Sequence, residues 1–360
     1  DPEIVRAADV RTIYPTLTVD LSPVTRAEVG DAAGARVELW TIDPITGSIG
    51  PVVDLGPPPI VGRPVPPGWC RIVVDVPGFG YTEHTRCLMP LTEPEVISAR
   101  VRRTAELVGR MKLVAAGTLP FDDGCRMGGS FVGDGAKVEE FYIDLGEVSN
   151  DEYLAFVEET SPATIPLAWR ECGYESDRAA FDARTSKTHP RPWGKLPVVG
   201  MSWFQARDFA EWSGKRLPQH YELEWVQRGP GLARTSLEGA TDENKVGRAN
   251  VGRGSRGGPF LPEQYDAYLA LAEPVLDSAF LQSMSGLFHT FGNVSEFTES
   301  PHVEANGGMV FANAWERMHL GQAWDADGHK KSLASHPFTG TSDRWVSCHI
   351  GIRCAKSRRN

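Results

Sequence analysis

No run of about 18 or more consecutive apolar residues occurs anywhere in the 360-residue chain, so the sequence predicts no membrane-spanning helix. Cysteine is scarce. The six thiols, Cys70, Cys87, Cys125, Cys172, Cys348 and Cys354, are too few and too scattered for a disulfide framework in a chain of this size. None stands in a Cys-x-x-Cys metal spacing. Mostly free, buried thiols are expected, with a Cys70–Cys87 bridge between neighbouring strands left open. Positive charge is also in deficit. A net charge of -10 excludes the concentrated basic surface that nucleic-acid phosphates require, and the basic tail KSRRN reads as a solvated end. No Gly-x-Ser-x-Gly elbow, Walker-type loop or His-Glu-x-x-His helix is present. The Gly-rich GRGSRGGP at 252–259 lacks the strand and helix context of a phosphate loop and reads as a flexible surface loop.

What is present is an ordinary globular composition, 41% hydrophobic and 23% charged, long enough for two domains. Ten Trp and 37 Gly point to a loop-rich fold packed with indoles rather than a helical bundle. The chain starts at Asp1 without Met or a signal peptide, which reads as a processed product or a piece of a longer polypeptide. Residues 1–15 read as a leader helix or linker. Between 16 and 100, the segments TLTVDLSP, RVELWTID, CRIVVDVPG and TRCLMPL alternate apolar and polar residues and are separated by PITG, DLGPPP and VPPG. That period of two, with turns at this spacing, predicts a separate N-terminal all-β sandwich of the immunoglobulin-like kind. The charged stretch VISARVRRTAELVGR is read as a helical connector, with 101–110 leading into a second domain at 111–360.

In the second domain SNDEYLAFVEE begins with Ser149 or Asn150 as an N-cap and places Tyr153, Phe156 and Val157 on one helix face. SWFQARDFAEWSG does the same with Ser202 as the cap and Gly214 as the stop. A third short helix is expected at Tyr221 to Val226. These segments, with MKLVAAGT at 111, FYIDLGEVSNDEYLAFV at 141–157, PVVGMSWFQARDFAEWSGKRLPQHYELEWVQRG at 197–229, GNVSEFTES at 292–300 and GIRCAK at 351–356, occur in the order of the formylglycine-generating enzyme, or sulfatase-modifying factor, family. The chain resembles that family over about 250 residues. The resemblance implies an α+β, C-type-lectin-like formylglycine-generating-enzyme fold. The stretch VPPGWCRIVVDVPGFGYTEHTRCLMPL resembles the PEGA-like β module, and a PEGA-like module before such a domain looks like the C-terminal half of bacterial Ser/Thr kinase-associated proteins. No kinase motif occurs within the chain, so a kinase domain would lie upstream.

The family's oxidase uses two cysteines, which bind copper(I) and engage the substrate thiol, because soft sulfur ligands select that ion. Here the corresponding stretch reads NGGMVFANAWERM, and the two positions fall near Ala312 and Arg317. The oxidase site is therefore expected to be dismantled, with no copper or iron. Five histidines, His302, His319, His329, His336 and His349, lie in the last 60 residues, without a ligand spacing, and read as scattered loop residues. The resemblance implies structural calcium held by Asn, Glu and backbone carbonyls, the oxygen ligands a hard cation requires. Asn293 and Glu296 match one such site, and Asn250 with the Val251 carbonyl matches the start of another. The acidic partner of the second is obscured by an unmatched insert, LPEQYDAYLALAE at 261–273. Asp144, Glu147, Arg216, Glu222, Glu224 and Arg228 are read as structural, bonding loop backbone and one another.

The stretch from Met309 to Val346 departs most from the family while keeping Trp315, Trp324 and Trp345. Aromatics mixed with polar groups suit a recognition surface, and Trp315, His319, Trp324, His336 and Trp345 are the candidate partner-binding residues. Core packing is expected to account for two of the three tryptophans. The resulting expectation is a catalytically inactive binding or sensing module of a bacterial signalling or defence protein, recognising a protein or peptide. A bacterial cytoplasmic setting is preferred to the cell surface. Two alternatives stand beside it: a metal-dependent oxidase of the formylglycine-generating type with a rearranged site, and the target of a regulatory protease, cut in an exposed insert such as 252–273.

Overall fold

The computed structural model describes residues 14–30, 34–44, 46–90, 92–120, 135–186, 191–229, 250, 261–282, 286–306, 309–324 and 339–359. Two compact units are present, one formed by Asp1–Arg110 with Glu211–Arg216, the other by Met111–Ala210 with Leu217–Asn360. No described helix is long and apolar enough to cross a membrane.

The first unit is β-rich. Its four-stranded sheet runs Ile49–Gly56, Arg36–Ile42, Gly68–Val76, Gly80–Leu88 in spatial order, each pair antiparallel. A three-stranded sheet places Thr16–Leu21 between antiparallel Ile60–Pro64 and parallel Glu95–Ala99. The predicted alternation is realised: Leu17, Val19 and Leu21 are buried and enter one hydrophobic cluster with Val37, Leu39, Ile72, Val74, Ile97 and Ala99, residues of both sheets. The connector differs from its expectation. The first four residues of that stretch belong to the strand Glu95–Ala99, and the helix is confined to Thr104–Val108. Ile97 and Ala99 point inward with a period of two, which a strand satisfies and a helix cannot. The Cys70–Cys87 bridge is also overturned. Cys70 lies opposite Arg86, and Cys87 opposite Trp69, so a one-residue offset puts the two thiols on opposite faces of the sheet. Burial pushes the Cys70 thiol up to about 12.

In the second unit the predicted helices form at Asn150–Glu159, Trp203–Trp212 and His220–Arg228. Ser149 caps the first in a reciprocal box with Glu152. Ser202 and Gln205 make the same exchange at the second. Their apolar faces meet in an aromatic core, with Tyr153 stacked on Phe209 at 5.3 Å and edge-on to Trp169 at 5.9 Å. The helix Leu261–Leu271, within the unmatched insert, joins that core through Tyr265 and Tyr268, both fully buried. Tyr265 Oη accepts from Trp193 Nε1, and Tyr268 Oη accepts from Asn150 Nδ2 and donates to the Pro197 carbonyl. Of the insert read as exposed, 261–271 forms a helix whose aromatic face is core and whose opposite face is open; the stretch 252–260 lies outside the described residues. A four-stranded sheet carries the candidate site: Thr339–Ser342, Met309–Leu320, Ser295–Asn306 and Ile350–Gly351, in spatial order.

Candidate functional site

The hairpin of Ser295–Asn306 and Met309–Leu320 brings the resemblance-derived positions onto one strand. Ala312 lies opposite Val303 and Arg317 opposite Pro301, and the register slips on both sides of Pro301. A proline there cannot donate to the ladder, so a bulge is the local solution. The same slip turns Arg317 inward. Its guanidinium carbon sits 4.2 Å from the centre of the Trp203 ring, and the side chain is almost wholly buried. At this distance the cation is held by the ring's negative face, with the indole stem shielding it from water. Trp203 is itself fixed by its Nε1–H donating to the Thr298 carbonyl at 2.7 Å, and Thr298 Oγ1 donates to the Met318 carbonyl on the neighbouring strand. Arg317, the second of the resemblance-derived positions, is therefore a buried cation seated on an indole.

The three tryptophans separate. Trp324 is 0% exposed and donates from Nε1 to the Cys348 carbonyl, whereas Trp315 and Trp345 are 75% and 57% exposed. Core packing thus accounts for one of the three, not two. Trp315 lies on the strand Met309–Leu320, and its carbonyl accepts from Asp343 N; Trp345 follows two residues later, its N–H bonded to the Ser342 carbonyl. A tight turn at the strand end so places two exposed indoles on neighbouring chain segments. Of the other candidate partner residues, His319 is half-buried on the same strand, and His336 lies outside the described residues.

Among the described residues the C-terminal histidines form no metal-holding group. His302 Nδ1 bonds Glu316 Oε2 at 3.0 Å, while His349 Nδ1 bonds Ser347 Oγ and its ring lies 4.9 Å from that of Trp324. His329 lies with His336 outside the described residues. Among the described residues no group of three or more His, Cys, Asp or Glu is placed to hold a metal ion. Cys348 and Cys354 are fully buried, and burial pushes the Cys348 thiol far up, away from the thiolate that soft metals need.

The residues assigned to calcium lie in a buried polar network. Asn293, in the left-handed region at φ 68, pairs its side-chain amide with the peptide of Glu273: Oδ1 accepts from Glu273 N at 2.9 Å and Nδ2 donates to Glu273 O at 3.1 Å. Oδ1 also accepts from Asn250 Nδ2, and Nδ2 also donates to Glu147 Oε2. Asn250 Nδ2 donates in addition to the Leu271 carbonyl, whereas Asn250 Oδ1 is buried with no hydrogen-bond partner among the described residues. Glu296 pairs with Arg353 at 3.0 Å, both side chains 0% exposed. So Asn250 and Asn293, read as belonging to two different sites, bond each other, with Asn293 Oδ1 committed to N–H donors and Glu296 Oε1 to Arg353. Val251 lies outside the described residues. Sequence reasoning passed over Glu273 and Arg353. The signal for Arg353 was there, since an arginine inside an otherwise apolar closing strand must bring an anion with it. Desolvation raises the Glu147 carboxyl well above the ordinary range, only partly opposed by Arg353. Burial pushes His289 down to about 4.

The sulfatase-modifying factor enzyme 1-like domain model matches residues 98–358, and the chain belongs to that family. Among its relatives, an inactive C-alpha-formylglycine-generating enzyme 2 of Bos taurus is 30% identical over 61% of this chain and 77% of the relative. A formylglycine-generating enzyme of Streptomyces coelicolor is 34% identical over 48% of this chain and 64% of the enzyme. The serine/threonine-protein kinase pkn1 of Chlamydia pneumoniae is 27% identical, but the match spans only 31% of this chain and 18% of the kinase.

Proposed function

We propose that this chain is a catalytically inactive sulfatase-modifying-factor-like module that recognises a protein or peptide partner in a bacterial signalling or defence protein. The observation that carries the reading is the pairing of two features on one strand. Arg317, at the second oxidase position, is a buried cation on Trp203, and Trp315, two residues earlier, is exposed. A buried guanidinium repels a copper cation where the oxidase would need thiolate charge. Exposed indoles are rigid, amphipathic anchors of the kind that dominate protein recognition. Trp315 and Trp345 form the centre of the recognition surface in this reading, with His319 at its side.

The first unit is assigned the role of a PEGA-like, immunoglobulin-like spacer. The partial match to pkn1 favours a kinase-linked context, and the likeness to an inactive enzyme favours loss of catalysis. Structural calcium belongs to the reading at Asn250 alone, whose buried Oδ1 is uncommitted, together with the Val251 carbonyl. The test is capture of partners from the native host by the wild-type chain and by the Trp315→Ala, Trp345→Ala double variant. Both positions are exposed, so the variant's melting temperature should stay within about 2 °C of wild type. A specific partner lost with the two indoles supports the reading, and a partner profile indifferent to them removes this surface from it.

A further inference from the structure

Resting on the recognition surface proposed above, we infer that its partner is an acidic peptide, one that sets a carboxylate on Arg344 and an apolar side chain against Trp315 and Trp345. The turn that carries Arg344 is fixed through its backbone. Asp343 donates its N–H to the Trp315 carbonyl at 3.1 Å and accepts from Trp203 N at 3.2 Å, while Trp345 N donates to the Ser342 carbonyl at 2.8 Å. Arg344 N donates to Ser342 Oγ at 3.3 Å. The turn is thus tied to the strand Met309–Leu320 on one side and to the helix Trp203–Trp212 on the other. Its exposed side chains start from an ordered backbone, which lowers the cost of holding a partner.

The charges around the two indoles leave one cation over. Arg344 is exposed, and its guanidinium meets no carboxylate among the described residues. Its charged neighbours are answered within the protein. Arg207, whose guanidinium carbon lies 5.4 Å from the centre of the Phe204 ring, bonds Asp208 Oδ1 through Nη2 at 2.8 Å, and Glu316 Oε2 bonds His302 Nδ1 at 3.0 Å. Asp343, the carboxylate of the turn itself, is 7% exposed and so out of a partner's reach. A guanidinium offers a carboxylate two parallel N–H donors, and indoles beside it add the apolar contact that an exposed ion pair lacks. The net charge of -10 sets the selectivity. A basic peptide is attracted to many places on such a chain, whereas an acidic one is disfavoured over most of it and gains where a cation stands uncompensated.

The experiment is fluorescence anisotropy of the purified chain with three rhodamine-labelled peptide pools, in which randomised apolar residues alternate with Glu, with Lys or with Ser. The inference requires the Glu pool to bind tightest, to weaken about tenfold or more in Arg344→Glu and to keep most of its affinity in Arg344→Lys. Glu-pool binding that Arg344→Glu leaves intact, or no binding of any pool, overturns it. Tightest binding of the Lys or Ser pool, lost in the Trp315→Ala, Trp345→Ala double variant, overturns it too but leaves the recognition surface standing. Binding that neither the double variant nor Arg344→Glu disturbs removes both. Should Arg344→Glu fail to fold by circular dichroism, the salt dependence of the wild-type chain decides: Glu-pool affinity must fall between about 50 and about 300 mM salt, and an unchanged affinity overturns the inference.

Discussion

Glu147 and His289 are both buried near Arg353; burial drives Glu147 up and His289 down, while Arg353 lowers both. The raised Glu147 carboxyl holds its proton in the folded state while an unfolded chain has released it, so its contribution is fully present below the ordinary carboxylate range and is lost as pH rises above it. In Glu147→Gln that loss is removed, and thermal melts between about pH 5 and pH 8 should decline less steeply than those of wild type. An unchanged decline in the variant would show that Glu147 is ionised in the fold. His289 has the reverse sign. Its folded value of about 4 lies below the ordinary imidazole value of about 6.5, so its contribution is present above the latter and is lost as pH falls through the former. His289→Asn, which can hold the positive φ of 48, should flatten the acid limb of the same profile. Gly321 is a third sensitive residue, because a Cβ there would stand 3.0 Å from Glu296 Oε2 at a φ of +96.

At the scale of elements, what the sequence revealed and what it hid have distinct physical causes. Caps and a single apolar face made the helices at Asn150–Glu159 and Trp203–Trp212 legible, since side-chain capping and a period near 3.6 are both local. The strands Ile49–Gly56 and Ile60–Pro64 were hidden. Their side chains are mostly exposed, so no alternation marks them, and their Pro and Gly residues read as turns. The contact between Arg317 and Trp203 was not legible, as it joins residues far apart in sequence. The insert helix was legible only as a departure. Its role rests on Tyr268, whose hydroxyl joins Asn150 to the Pro197 carbonyl. Tyr268→Phe leaves Asn150 Nδ2 with the Trp193 carbonyl but strands the Pro197 carbonyl. It should cost about 1–3 kcal/mol in denaturant unfolding, against near zero if the insert were a surface loop.

For the whole molecule, the family match over residues 98–358 defines the architecture of the second unit but not its activity, since function is carried by sites and not by folds. The account instead gives weight to the residues that the resemblance sets against the thiol pair: Ala312, and a buried Arg317 beside exposed Trp315. Its central claim is that this position cannot recruit copper(I). The most direct measurement is a copper(I) competition titration of the purified, reduced chain against a colorimetric chelator, repeated with Cys348→Ser. The account predicts no uptake at stoichiometric copper, with the variant indistinguishable from wild type. One tightly held copper(I) per chain, weakened in Cys348→Ser, would contradict it and restore an oxidase with a rearranged site.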